Sequence, residues 1–125
     1  MLAHVMLGDK IEDNYYCYPK RGAVINNIPV AFQEPYSGLF PLQFMDVYNP
    51  SLDAGVYLMV HDLQDIYKYF MLKKTSNTLT LTVDYTAEEL PANGVLELPE
   101  TVLGVHRGDW HNALAAYKQW TKTWY

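Results

Sequence analysis

Thr78-Leu79-Thr80-Leu81-Thr82-Val83-Asp84-Tyr85 decides the fold class. Leu79, Leu81, Val83 and Tyr85 alternate strictly with Thr78, Thr80, Thr82 and Asp84. A period of two puts the four apolar side chains on one face of a strand and the polar ones on the other. Upstream, Ile66 to Lys73 predicts a preceding strand. Tyr67, Tyr69 and Met71 share one face, and Ile66, Lys68, Phe70 and Leu72 the other. The turn Thr75-Ser76-Asn77 joins the two.

Further upstream, Leu42-Gln43-Phe44-Met45-Asp46-Val47-Tyr48 and Val56-Tyr57-Leu58-Met59-Val60-His61 flank the breaker Asn49 to Gly55. This arrangement predicts an antiparallel hairpin with a long loop. Both strands are apolar on both faces apart from Gln43, Asp46 and His61, so both are expected inside a sheet covered on two sides. Asp62 to Asp65 reads as a turn. The first forty residues are less periodic. Asn14 to Tyr18, stopped by Pro19, reads as a short strand. Gly22 to Ile25 and Ile28 to Phe32 read as two more, joined at Asn26-Asn27. Pro29 and Pro35 confine them to edges or extended loops, because proline lacks a ladder donor. Pro35 to Gly38 reads as a turn.

Downstream, Thr86 to Asn93 reads as a loop with one helical turn at Ala87-Glu88-Glu89-Leu90. Val95 to Leu98 and Thr101 to His106 read as strands around Pro99. The last segment changes period. Trp110, Leu114, Tyr117, Thr121 and Trp124 recur at helical spacing, broadened by Ala113, Ala116 and Trp120. Asp109 suits the N-cap of a helix over 110–123, and Lys118 and Lys122 complement its C-terminal dipole. The expected fold is mainly β: an antiparallel β-sandwich over residues 1–108, then one C-terminal amphipathic α-helix over 109–125.

Composition narrows the function. The chain has 125 residues, 50% hydrophobic and 18% charged, with a net charge of −5. Disorder is excluded for the chain as a whole. No run approaches the ~20 apolar residues of a bilayer span, so no membrane partner is expected. The acidic balance leaves no surplus of cations for a phosphate backbone, so no nucleic-acid partner is expected. The N-terminal residues lack the pattern of a signal peptide, and localisation is left open. Eleven Tyr, four Phe and three Trp suit half-buried pleated surfaces, and secondarily the flat faces of sugar rings.

The catalytic residue types are present without a constellation. His106 and His111 are five apart, not at the i, i+4 spacing of a zinc-protease helix, so no metal is expected. Asp62 with Asp65 and Glu88 with Glu89 fall in turn or loop segments, where acids are common for solubility. The single cysteine, Cys17, sits between tyrosines and is expected as a buried thiol. Gly104 and Gly108 match no phosphate loop, so no cofactor is expected.

Two motifs carry a resemblance. Leu42 to Tyr48, with Gly55-Val56-Tyr57-Leu58 and His61-Asp62, and then His106-Arg107-Gly108-Asp109-Trp110-His111-Asn112-Ala113 with Tyr117 and Trp120, resemble the DUF6259 family of bacterial glycoside-hydrolase-like proteins. In that family a mutarotase-like β-sandwich precedes a catalytic (β/α)₈ barrel. The resemblance spans roughly residues 36–125. It implies that this chain is a non-catalytic piece of a longer carbohydrate-active enzyme, ending where the barrel begins. No residue here then inherits a catalytic role. The family's sandwich is longer on its N-terminal side, which implies an incomplete sandwich with an open edge inviting self-association. Carbohydrate and the barrel of the same parent protein are the implied partners. His106, Asp109, Trp110, His111, Trp120 and Trp124 are the candidates for touching a sugar or the neighbouring domain. A free-standing carbohydrate-binding module using exposed aromatics is the alternative.

Overall fold

The computed structural model describes residues 2–21, 23–36, 42–85, 92–95 and 97–124. Within them two antiparallel sheets face each other. The first contains β1 (Leu2–His4), β4 (Val30–Tyr36), β7 (Lys68–Lys74) and β8 (Leu79–Tyr85), in the order β1-β8-β7-β4. The second contains β2 (Tyr15–Tyr18), β3 (Val24–Asn26), β5 (Phe44–Asn49), β6 (Ala54–His61) and β9 (Glu100–Arg107), in the order β3-β2-β5-β6-β9. Helix α1 (Trp110–Thr121) follows. The expected fold class is what the chain adopts.

The period-two stretch forms β8, with Leu79, Leu81 and Val83 buried and Tyr85 packed beside them. Its hairpin with β7 pairs Leu72 with Leu81 and Phe70 with Val83. These residues meet Tyr16, Tyr18, Met45, Val47, Leu58 and Val60 of the facing sheet. The tyrosines there are core residues: Tyr18 donates its hydroxyl to Phe70 O at 2.5 Å and stacks on Phe32.

The predicted hairpin is β5–β6, with Val47 opposite Val56. Its two-sided apolar pattern has the expected cause. One face meets the sandwich core. On the other, Phe44 and Met59 pack under Ala113 and Tyr117 of α1. Tyr117 stacks on Phe44 at 5.3 Å, and its hydroxyl oxygen accepts from Gln43 N at 3.2 Å. Helix and sheet are thus stapled by an aromatic pair and a backbone hydrogen bond.

Several expectations need correction. β3 and β4 belong to different sheets rather than to one hairpin. Both are edge strands, as the prolines required, and Pro35 lies within β4. The N-terminal residues form β1, whose Leu2 and His4 pair with Thr82 and Thr80. No strand covers Val95, Glu97 or Leu98; β9 starts at Glu100, just after Pro99. Val95 is 83% exposed, so its apolar character is not used for burial. β7 starts at Lys68 rather than Ile66. The helical turn expected at 87–90 lies outside the described residues.

Candidate functional site

The outer face of the five-stranded sheet holds every candidate taken from the sequence, in two groups at opposite ends of α1. Trp110 and Trp120 are ten positions apart, about 15 Å along a helix.

At the first end β9 turns into α1. Gly108 makes the turn with φ +75°, a backbone region that other residues enter at a cost. Its N–H donates to Asp53 Oδ1 at 3.0 Å, tying the turn to the β5–β6 loop. Asp109 caps the helix as expected, accepting from His111 N at 2.9 Å. His111 Nδ1 lies 2.8 Å from the same carboxylate, and its ring stacks on Trp110 at 3.8 Å. The capping contacts with His111 hold the Asp109 carboxyl below its ordinary range. Trp110 is half-buried and stands apart from the cluster that joins helix to sheet, where Ala113 and Tyr117 are the buried residues.

His106 has a different setting. Nε2 lies 2.7 Å from Asp46 Oδ1, and Nδ1 lies 2.8 Å from Arg107 O. A carbonyl only accepts, so Nδ1 carries a proton. The contact with Asp46 then needs one more proton, held on either Nε2 or the carboxyl. Both side chains are nearly sealed, at 6% and 0% exposure. Burial pushes the Asp46 carboxyl up to about 6, against the opposing pull of His106. Gly55 is the register partner of His106, and the ring passes over it to reach Asp46. Cys17 is the register partner of Asp46. Burial, with the Asp46 charge second, pushes its thiol up to about 12, so it is not a nucleophile at neutral pH.

At the other end His61 and Trp120 lie face to face, 4.5 Å apart and 3° from parallel. Trp124 stands 5.4 Å beyond and is 47% exposed. A cleft of about 270 Å³ opens beside His61, lined also by Asp62, Gln64, Glu97 and Pro99.

Among the described residues the carboxylates do not converge. Asp62 is buried and committed: Oδ2 receives Lys68 Nζ at 2.6 Å and Ile66 N at 2.7 Å, and Oδ1 receives Gln64 N at 2.8 Å. Burial would raise its pKa, but these donors outweigh it and hold the group below its ordinary value. Asp65 occupies a left-handed turn position, and Glu88 and Glu89 lie outside the described residues. Among the described residues no three His, Cys, Asp or Glu side chains form a metal-ligating group. The pairing of Asp46 with His106 escaped the sequence reading. Its one signal was an acid in the middle of an otherwise apolar strand, which must find a partner when buried.

Comparison of the chain with protein-family models, with curated proteins and with solved structures gives no match in any of the three.

Proposed function

We propose that this chain is a non-catalytic β-sandwich region of a carbohydrate-active, glycoside-hydrolase-like enzyme, packing against and supporting a (β/α)₈ barrel of the same parent protein. The observation that carries this reading is the aromatic end of α1. The helix is anchored by Ala113 and Tyr117 and ends at Thr121, and in the turn just past its end Trp124 is 47% exposed beside Trp120. An aromatic cluster whose outermost member, Trp124, is exposed suits a domain interface. The acids support the same view. Asp46 and Asp62, both buried, are each committed to a partner within the fold, Asp46 to His106 and Asp62 to the Lys68 ammonium.

Two measurements test this. The coding sequence downstream of Tyr125 is expected to encode a barrel, and that barrel, produced separately, should bind the chain and lose affinity on Trp124→Ala. The chain alone should turn over no member of a glycoside panel. A stop codon at that point, or turnover by the chain, overturns the reading.

The free-standing carbohydrate-binding module remains the second reading. It is favoured by one feature, the Tyr67–Tyr69 pair, in which Tyr67 is 51% exposed. Retention on insoluble polysaccharide that disappears with Tyr67→Ala would support it over the first.

A further inference from the structure

The outer face of the four-stranded sheet carries a groove of about 430 Å³, far from the aromatic end of α1 in the sandwich because it lies on the opposite sheet. Two adjacent rungs of the ladder build it. One runs Gln33–Met71–Thr82–Leu2 and the other Ala31–Lys73–Thr80–His4, each crossing all four strands. Three strand spacings make each rung about 14 Å long, and the rungs lie about 7 Å apart.

The two rungs differ in chemistry. The first offers Met71 and Leu2, the latter 59% exposed. The second offers the Lys73 ammonium and the His4 imidazole, the latter 3.4 Å from Thr80 Oγ1. Lys73 is exposed and makes no ion pair among the described residues. The groove contains no carboxylate, in a chain of net charge −5. A smaller cleft of about 130 Å³ shares His4 and also lacks an acid. Among the described residues of these strands the nearest acid on this face is Asp84, one rung beyond Met71, paired across with Tyr69. A local cation beside the apolar side chains of Met71 and Leu2, which flank Thr82 in the neighbouring rung, is complementary on this acidic protein to an anion with an apolar body.

We propose that this groove binds a small amphiphilic carboxylate, its anionic head on Lys73 and its chain along Met71 and Leu2. The probe is monomeric decanoate, titrated into the ¹⁵N-labelled chain and followed by amide chemical shifts. Saturating shifts are expected at Met71, Lys73, Thr80 and Thr82. Lys73→Gln, and decanol in place of decanoate, should each weaken binding about tenfold, the effect of losing one hydrogen bond to a charged group. Thr82→Glu, a surface change on the same floor, should abolish binding while leaving the rest of the spectrum intact. The proposal is overturned by any of three results: no saturating shift at these amides, equal affinity for decanol and decanoate, or concentration-dependent self-association mapped to this face without a decanoate response.

Discussion

His106 reaches across Gly55 to Asp46, with Nε2 2.7 Å from Oδ1, and the missing side chain at position 55 makes the reach physically possible. A Cβ on Gly55 would lie 2.2 Å from Nε2 and 2.9 Å from the backbone oxygen of Val47. The ring could swing away, but the backbone oxygen of a central strand cannot. Gly55→Ala is therefore expected to break the pair and strand Asp46, destabilising the fold by about 3 kcal/mol, as for other broken buried pairs. Urea denaturation would measure it. A loss below about 1 kcal/mol, within the range of ordinary substitutions, would show that the pair is not held this way.

The same pair makes stability depend on pH in an unusual direction. Burial lifts the Asp46 carboxyl from 3.8 to about 6 in the folded state. Between those values the folded chain keeps a proton that the unfolded chain releases. The associated stabilisation is complete below about 3.8 and is lost as pH rises through about 6. Each unit of separation is worth ~1.4 kcal/mol. Asp46→Asn never ionises, and its amide can still donate to a neutral His106. Its stability relative to the parent should thus rise between pH 4 and pH 7 and level off above about 6. Cys17 of β2, Tyr48 of β5, Tyr57 of β6 and the helix cap Asp109 are further titratable groups near the pair, and all four are retained in the variant. A flat difference across that range would refute the account.

Much of this architecture was legible because its signals are local. The alternation over Thr78–Tyr85 needs only eight residues, and the Asp109 cap with its 3.6-residue stripe needs about fifteen. The two-sided apolarity of Leu42–Tyr48 and Val56–His61 even announced a second layer, which α1 supplies. The Asp46–His106 contact was not legible. It joins positions sixty apart and depends on a glycine in a third strand. The six candidate residues, adjacent by motif, separate because a helix carries Trp120 and Trp124 away from Asp109. The strand expected around Val95 and Leu98 does not form, because apolar composition resembles a strand even where, as at these two residues, the side chains stay in water. β1 is only three residues long, too short for any period to declare itself.

Lys68 and Asp62 form a sealed ion pair at 2.6 Å, with side chains 0% and 1% exposed. The ammonium also donates to Ile66 O at 2.8 Å and sits 4.8 Å from the Tyr36 ring. Asp62→Ala would leave that charge buried without its carboxylate and also release the amides of Gln64 and Ile66. A loss of about 3–5 kcal/mol is expected. The double variant Asp62→Asn, Lys68→Met removes both charges and should recover a large part of it. The low Asp62 pKa sets the sign with pH: its contribution is present above the ordinary carboxylate value of 3.8 and disappears as pH falls through the lower folded value. A double-mutant cycle in urea checks the pair. If the double variant is as unstable as Asp62→Ala alone, the penalty does not come from the stranded charge.

The parallel stack of His61 on Trp120 offers an optical readout of the end of α1 that we propose as a domain interface. Burial holds the His61 imidazole below its ordinary 6.5, partly countered by the Glu100 carboxylate 3.9 Å away. The folded state therefore resists protonating His61, and its stability falls as pH drops from 6.5 toward the folded value. Protonation at 4.5 Å from the indole should also change Trp120 emission. Trp110 has its own histidine partner at 3.8 Å, so the measurement belongs in a Trp110→Phe background. There, emission should follow a titration centred below 6.5, and His61→Phe should remove it while keeping the aromatic stack. If the profile survives His61→Phe, another group controls that end of the helix. If binding of the proposed barrel leaves the titration unshifted, Trp120 and Trp124 are not the surface it covers.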